Sequence, residues 1–196
     1  MSNQPKPSSN PVQNNPVPQA QRPTPQAVPK PPQQPTIIDK LFEELQKRIK
    51  VTTRKDAPNR GTIIVDRSQL VEVAKILKEL GFDHVKTVTG MDYPDEEKLE
   101  VIYHVSSYEH PEYSKVIVAL RTTVSYRDPV VPSLYSIWES VWTGERETYE
   151  MFGIRFEGHP DLRRLFLPDD FEGIYPLRKE YKLKKEGIFI DEQQAE

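Results

Sequence analysis

The prolines of this chain are concentrated at its start, and this feature limits where a fold can form. Residues 1–35 contain eleven of the nineteen prolines, many Gln, Asn and Ser residues, and only Met1 and three valines as sizeable apolar side chains. Such a segment cannot bury enough apolar surface to offset the entropy lost on ordering. We therefore predict a disordered tail over residues 1–35, one folded domain over residues 36–182 and a polar tail over residues 183–196.

Cysteine is absent from the 196 residues. Iron-sulfur clusters are normally held by cysteine thiolates and structural zinc sites usually use them, so we expect neither group in this chain. The composition, 36% apolar and 29% charged, is typical of a soluble globular protein, and no run approaches the roughly 18 apolar residues of a membrane span. We expect any membrane contact to go through a partner.

Charge is divided unevenly along the chain. Residues 1–35 carry three cations and no acid, so the net charge of −3 leaves −6 on residues 36–196. This acidic domain argues against nucleic acid as the main partner. The tail lacks the Arg-rich amphipathic pattern of a transit peptide and the apolar core of a secretory signal, which favours a prokaryotic cytoplasmic protein.

The first half of the domain alternates between helical and extended patterns. Thr36 and Asp39 predict the start of a helix, residues 61–65 a short strand, and residues 68–80 a second helix that ends at Gly81. Three further strands are predicted from runs rich in Val, Ile, Thr and Tyr, over residues 84–89, 99–106 and 115–124. This order predicts an α+β fold, in which a small mixed sheet is covered by helices on one face.

The second half begins with an aromatic pattern and then loses periodicity. Pro132 and Ser133 predict the start of a helix whose apolar face contains Leu134, Ile137, Trp138, Val141 and Trp142. Residues 153–181 show no periodicity and are interrupted by glycines and prolines. An irregular stretch of this length is usually functional or packed against something, so we interpret it as an interface segment.

Four stretches in this half occur in a fixed order. They read GERETYEMFGI (144–154), FEGHPDLRRL (156–165), LPDD (167–170) and YPLRKEY (175–181). In order and spacing they closely resemble the signature of the complex I 30 kDa subunit family, also known as the C subunit of NADH-quinone oxidoreductase. With the upstream arrangement, including residues 89–93, the resemblance covers roughly residues 37–182.

The resemblance implies a non-catalytic structural subunit in the peripheral arm of a proton-translocating NADH:quinone oxidoreductase. It implies packing against the large, 49 kDa-type quinone-site subunit and beside iron-sulfur subunits, on the cytoplasmic side of the membrane. It also implies that this chain holds no cofactor, and that NADH or another donor, flavin, iron-sulfur clusters and quinone belong to partner subunits. Related subunits occur in membrane-bound hydrogenases and complexes fed by other donors, so the donor stays open.

The same stretches contain the candidate interface residues. Arginine at an interface can grip carboxylates or carbonyls with two donors at once. The alternatives are a solvated charged face on the predicted helix, intramolecular salt bridges for the basic pairs, and core positions for the large aromatic residues. The candidate set is Glu145, Arg146, Glu147, Tyr149, Phe152, His159, Arg163, Arg164 and Arg178.

Two hypotheses of other classes stay open at this point. One is a metal-dependent hydrolase built on His104, His110, Glu157 and His159, although the chain contains no HExxH, GxSxG, GxxxxGK or GxGxxG motif. The other is a scaffold that acts through the proline-rich tail, in which residues 32–35 could dock as a polyproline II ligand.

Overall fold

The computed structural model describes residues 35–182, which form an α+β fold around a five-stranded sheet. The strand order is β1-β2-β5-β4-β3, in which β2 and β5 are parallel and the other neighbours antiparallel, so the sheet is mixed as predicted. The strands are β1 (Thr52–Ala57), β2 (Arg60–Ile64), β3 (His84–Tyr93), β4 (Lys98–Ser106) and β5 (Ile117–Ser125). A separate parallel pair is formed by β6 (Val130–Pro132) and β7 (Arg155–Glu157).

Helix α1 (Ile37–Arg48) begins where the sequence predicts. The backbone N–H of Thr36 donates to the Asp39 carboxylate at 2.8 Å, and the Thr36 hydroxyl accepts from the N–H of Asp39 at 3.4 Å. This reciprocal capping satisfies donors that have no partner inside the helix. The buried face of the helix packs against the sheet at Gly61, where a Cβ atom would lie 2.4 Å from the Phe42 ring.

Helix α2 (Leu70–Glu79) is shorter than predicted at its start. The Asp66 carboxylate accepts hydrogen bonds from both the N–H and the hydroxyl of Ser68, which hold that residue in a turn. The helix ends before Gly81, whose φ of +96° is the left-handed conformation expected at a helix stop. The predicted C-terminal signal is therefore confirmed.

The core lies on one face of the five-stranded sheet. Inward side chains of the strands join those of α1, α2 and α3 (Trp142–Phe152) in one cluster. The opposite face carries Ile64, which is 42% exposed. The edge strand β1 was not predicted, because its sequence TTRKDA has no apolar alternation and its side chains are mostly exposed.

The prediction that a helix starts at Pro132 and Ser133 is wrong. Pro132 ends strand β6, and α3 begins only at Trp142, after a 3₁₀ turn over Glu139–Val141. The Ser133 hydroxyl and the N–H of Leu134 donate to the Glu145 carboxylate, which holds this stretch out of a helix. Of the predicted apolar face, Leu134, Ile137, Trp138 and Val141 are nevertheless buried.

The stretch after α3 is irregular, as predicted. Apart from β7, its regular structure within residues 153–182 is limited to a 3₁₀ turn over Asp169–Phe171. The predicted disordered tail, except for Pro35, and the predicted polar tail over 183–196 lie outside the described residues. The domain boundaries stay predictions.

Candidate functional site

Residues 158–182, here called the C-terminal segment, follow strand β7 and lie against helix α3. The helix ends at Gly153, which has a φ of +74°. A Cβ atom there would lie 2.6 Å from Cζ of Tyr175, so the segment packs directly on the helix end. Glycine is therefore required at position 153 both by its backbone conformation and by this contact.

Arg146 attaches the start of the segment to α3. Its guanidinium donates from Nε to the carbonyl of Arg163 at 2.9 Å and from Nη2 to the carbonyl of Arg164 at 2.8 Å. A planar fork with two donors is suited to two adjacent carbonyls. The carbonyls to which this arginine donates therefore belong to its own chain and not to a partner.

Glu150 attaches the next residues of the segment. Its carboxylate is buried and accepts hydrogen bonds from the backbone N–H groups of Phe166 at 3.0 Å and Leu167 at 2.5 Å. These two N–H groups have no place in a helix or sheet ladder, so the carboxylate supplies the partners that irregular backbone needs when it is covered.

His159 closes the turn between β7 and the segment. Its Nδ1 accepts from the N–H of Asp161 at 3.1 Å, so Nε2 carries the proton and donates to the carbonyl of Trp142 at 3.2 Å. The ring also packs against the Tyr135 and Trp142 rings. Burial lowers the pKa of His159, which favours this neutral form.

Arg164 and Arg178 hold the second half of the segment. Arg164 donates to the carbonyls of Pro168 and Phe171, at 3.2 and 2.6 Å. Arg178 donates to the carbonyl of Phe152 at 2.8 Å, and its guanidinium lies 4.6 Å from the centroid of the Tyr175 ring. Both arginines therefore stabilise backbone and ring positions within the chain.

Glu145 lies in the core behind the segment. Its carboxylate is fully buried and accepts from the Tyr103 hydroxyl at 3.0 Å, the Ser133 hydroxyl at 2.6 Å and the N–H of Leu134 at 2.9 Å. Burial raises the pKa of Glu145 to about 7, while the three hydrogen bonds act in the opposite direction. Its geometry is that of an internal link between β4, α3 and the stretch at 133–134.

The nine predicted interface residues thus divide by exposure. Glu145 and Phe152 are buried, Glu147 and Arg163 are exposed, and the others are partly buried. Arg163 pairs with Asp161 at 2.5 Å, which agrees with the alternative of intramolecular salt bridges. An interface role for the set stays a prediction, and the geometry gives the buried members internal roles.

Three exposed apolar side chains of the segment were missed by the sequence reasoning. They are Phe166, Leu177 and Ile174, with exposed fractions of 63%, 55% and 38%. Their neighbours in sequence are anchored by the bonds described above, so the three side chains are presented on a fixed backbone. The sequence feature that could have indicated these exposed side chains is the presence of large apolar residues in a stretch without periodicity.

The four residues considered for a metal site lie apart in the fold. His104 is on the uncovered face of β4, His110 is beside Gly81, Glu157 ends β7 and His159 binds the Trp142 carbonyl. Within residues 35–182 there is no group of three or more His, Cys, Asp or Glu residues able to hold a metal ion. None of the helices in this part of the chain is long and apolar enough to cross a membrane.

Known proteins resemble this chain both in sequence and in fold. Residues 63–187 match the family described as respiratory-chain NADH dehydrogenase, 30 kDa subunit. The F(420)H(2) dehydrogenase C subunit of Methanosarcina mazei is 40% identical over 149 residues, 75% of this chain and 90% of that protein. The NADH-quinone oxidoreductase C subunit of Moorella thermoacetica is 34% identical over 76% of this chain and 99% of its own length.

Further matches extend these two. The NADH-quinone oxidoreductase C/D subunit of Phocaeicola vulgatus is 44% identical over 110 residues, which are 56% of this chain and 20% of that protein. Among solved structures, a trypsin-resistant fragment of Nqo5 has a TM-score of 0.56 at 27% identity, covering 64% of this chain and 98% of the fragment. A chain of the membrane-bound sulfane sulfur reductase, an archaeal respiratory membrane complex, shares the fold with a TM-score of 0.66 at 21% identity, covering 74% of this chain and 85% of that one.

Proposed function

The chain belongs to the family of the 30 kDa subunit of respiratory-chain NADH dehydrogenase, and we propose that it is a non-catalytic structural subunit in the peripheral arm of such a complex. In this role it packs against the 49 kDa-type quinone-site subunit and beside iron-sulfur subunits. The electron donor, flavin, clusters and quinone bind to those partners. The chain then lies on the cytoplasmic side of the membrane and reaches the membrane only through the complex.

The observation that carries this proposal is the anchored C-terminal segment. Arg146, Glu150 and Arg178 hold its backbone, while Phe166, Ile174 and Leu177 stay exposed. Ordering a segment on binding costs about 1–2 kcal/mol per residue, so a backbone that is already held binds a partner with a smaller entropy loss. The segment is therefore built as a preformed binding surface.

The identity of the partner is supported by one relative in particular. The protein from Phocaeicola vulgatus is named as a C/D subunit, and this chain matches a fifth of its length. A polypeptide that joins a C part and a D part keeps the two close together. This favours the protein equivalent to the D part, which is of the 49 kDa type, as the neighbour of this chain.

A second candidate concerns the electron donor. The relative from Methanosarcina mazei is a subunit of an F(420)H(2) dehydrogenase and is 40% identical to this chain over 75% of its length. The chain therefore also fits the equivalent position in a complex fed by a donor other than NADH, such as reduced F420 or hydrogen. The metal-dependent hydrolase has no support in residues 35–182, where no group of three or more possible ligands assembles.

The test is affinity purification of the tagged chain from the membranes of its own organism in mild detergent, followed by mass spectrometry. We expect the quinone-site and iron-sulfur subunits to be recovered, and the input subunits to identify the donor. The Leu177→Asp variant should lose the partners, whereas Ile64→Asp, a matched control on the uncovered sheet face, should keep them. Recovery of the wild-type chain alone would overturn the proposal.

A further inference from the structure

A small cleft lies between helix α3 and the C-terminal segment. Its volume is about 240 Å³, below the roughly 300–1,000 Å³ of most small-molecule sites. This volume suits a single long side chain better than a cofactor or substrate. The cleft is lined by Tyr149, Glu150, Arg164, Glu172, Gly173 and Tyr175.

The charges in the cleft are not balanced. The Arg164 guanidinium donates to two backbone carbonyls of the segment, those of Pro168 and Phe171. Neither Glu150 nor Glu172 forms an ion pair with any residue between 35 and 182. Two carboxylates against one cation leave the cleft acidic. Glu150 is only 3% exposed and its carboxylate already accepts the N–H groups of Phe166 and Leu167, so Glu172 is the accessible carboxylate of the two.

Apolar groups surround these carboxylates. Tyr149 and Tyr175 line the cleft, and exposed Ile174 lies between two lining residues in sequence. Exposed Phe166 is bonded through its N–H to Glu150. Tyrosine and arginine are enriched among the residues that contribute most to binding at protein interfaces, and the contacts around such residues exclude water.

We propose that this cleft receives one basic side chain, Lys or Arg, from the partner subunit that packs on the C-terminal segment. This rests on the proposed function and names the chemistry of the contact. The partner's cation pairs with the exposed Glu172, while the buried Glu150 adds negative charge to the cleft. The stem of the side chain packs on the tyrosine rings, as long basic side chains do on apolar surfaces. A bound metal ion is a poorer match, because only two carboxylates are present and no third ligand joins them within residues 35–182.

The first experiment reverses one charge in the assembled complex. Glu172 is exposed, and its side chain makes no hydrogen bond to residues 35–182, so Glu172→Lys tests the cleft without removing a structural bond. The matched control is Asp170→Lys, an exposed acid of the same segment that does not line the cleft. Like charges that face each other disfavour binding, so the amount of partner recovered from native membranes should fall about tenfold or more with Glu172→Lys and little with the control.

The second experiment identifies the occupant. Because the chain has no cysteine, Glu172→Cys carries a single thiol to which a benzophenone maleimide can be attached. Irradiation of the assembled complex should link this position to a partner peptide at or next to a Lys or Arg. Links only to lipid, or to a peptide without a basic residue, would overturn the proposal.

The results separate this proposal from the one on which it rests. If the wild-type chain recovers no partner, the proposed function fails. If the wild type recovers the partners and Glu172→Lys recovers them equally well, only the cleft proposal is overturned. Unchanged urea unfolding of the purified Glu172→Lys chain establishes that a lost partner reflects the contact and not the fold.

Discussion

The hydroxyl of Tyr103 donates a hydrogen bond of 3.0 Å to the carboxylate of Glu145, and both side chains are fully buried. This pair joins the centre of the sheet to helix α3. Burial raises the pKa of the Glu145 carboxyl from its ordinary 4.5 to about 7, so the folded chain binds this proton more tightly than the unfolded chain. The contribution of Glu145 to stability is therefore fully present below pH 4.5 and is lost as the pH rises through about 7.

We expect Glu145→Gln to remove this pH dependence. The amide keeps the shape of the side chain and carries no charge, so the free energy of unfolding should exceed that of the wild type by up to about 3 kcal/mol near pH 8. Below the ordinary pKa of a carboxyl group the two proteins should be similar. Urea unfolding across this pH range measures the difference, with the exposed Glu147→Gln as control. A constant difference at every pH would contradict the interpretation.

Substitutions at two glycines can measure the cost of backbone strain separately from the cost of a side-chain clash. Gly153 and Gly158 have φ values of +74° and +84°, but only at Gly153 would an added Cβ meet a neighbour, the Tyr175 ring at 2.6 Å. Gly158→Ala should lose about 1–2 kcal/mol of unfolding free energy, the cost of a left-handed conformation. Gly153→Ala should lose about 1–3 kcal/mol more, because the tyrosine must move. Equal losses in urea unfolding would show that the ring contact contributes nothing.

The two hydrogen bonds of the Arg146 guanidinium give a third prediction. Arg146→Lys keeps the charge but cannot hold the carbonyls of Arg163 and Arg164 together, so the segment should open more often. At about 0.5–1.5 kcal/mol for each lost bond, amide hydrogen exchange over residues 163–167 should accelerate several-fold. Arg163→Lys is the control, since its ion pair with Asp161 is at the surface. Similar exchange in the two variants would exclude Arg146 as an anchor.

Much of the fold was predictable because its signals are local. Thr36 and Asp39 cap α1, and Gly81 ends α2, through contacts between residues a few positions apart. The stretch after Pro132 was predicted as a helix because its apolar residues have helical spacing. Its actual course depends on hydrogen bonds to Glu145, more than ten residues later, and sequence periodicity does not report such a contact.

The position of the candidate site in the chain was predictable, but the contacts of its charged side chains were not. The order of the four stretches identifies the half of the chain that contains the candidate site, and their charged residues are predicted to face a partner. In the structure Arg146 and Arg178 bind carbonyls of their own chain. Backbone carbonyls occur at every residue and leave no mark in the sequence, so an arginine that binds them cannot be distinguished in advance from one that binds a partner.

Asp92 controls the far end of the C-terminal segment. The residue is 6% exposed, and its carboxylate accepts hydrogen bonds from the N–H of Lys179 at 2.8 Å and from the Tyr126 hydroxyl. Burial, and then the hydrogen bond to Asp92, raises the pKa of Tyr126 to about 12, so this phenol stays a donor at neutral pH.

In Asp92→Ala both donors lose a charged acceptor, and a hydrogen bond to a charged group contributes about 1.5–3 kcal/mol. Trypsin should then cleave after Lys179 roughly tenfold faster or more, because cleavage follows the population of the open segment. Asp95→Ala, an exposed acid in the turn after β3, should be cleaved like the wild type. If both variants are cleaved at the wild-type rate, Asp92 does not hold the segment, and its end is fixed by other contacts, such as those from Arg178 to the Phe152 carbonyl and from the Leu177 N–H to the Met151 carbonyl.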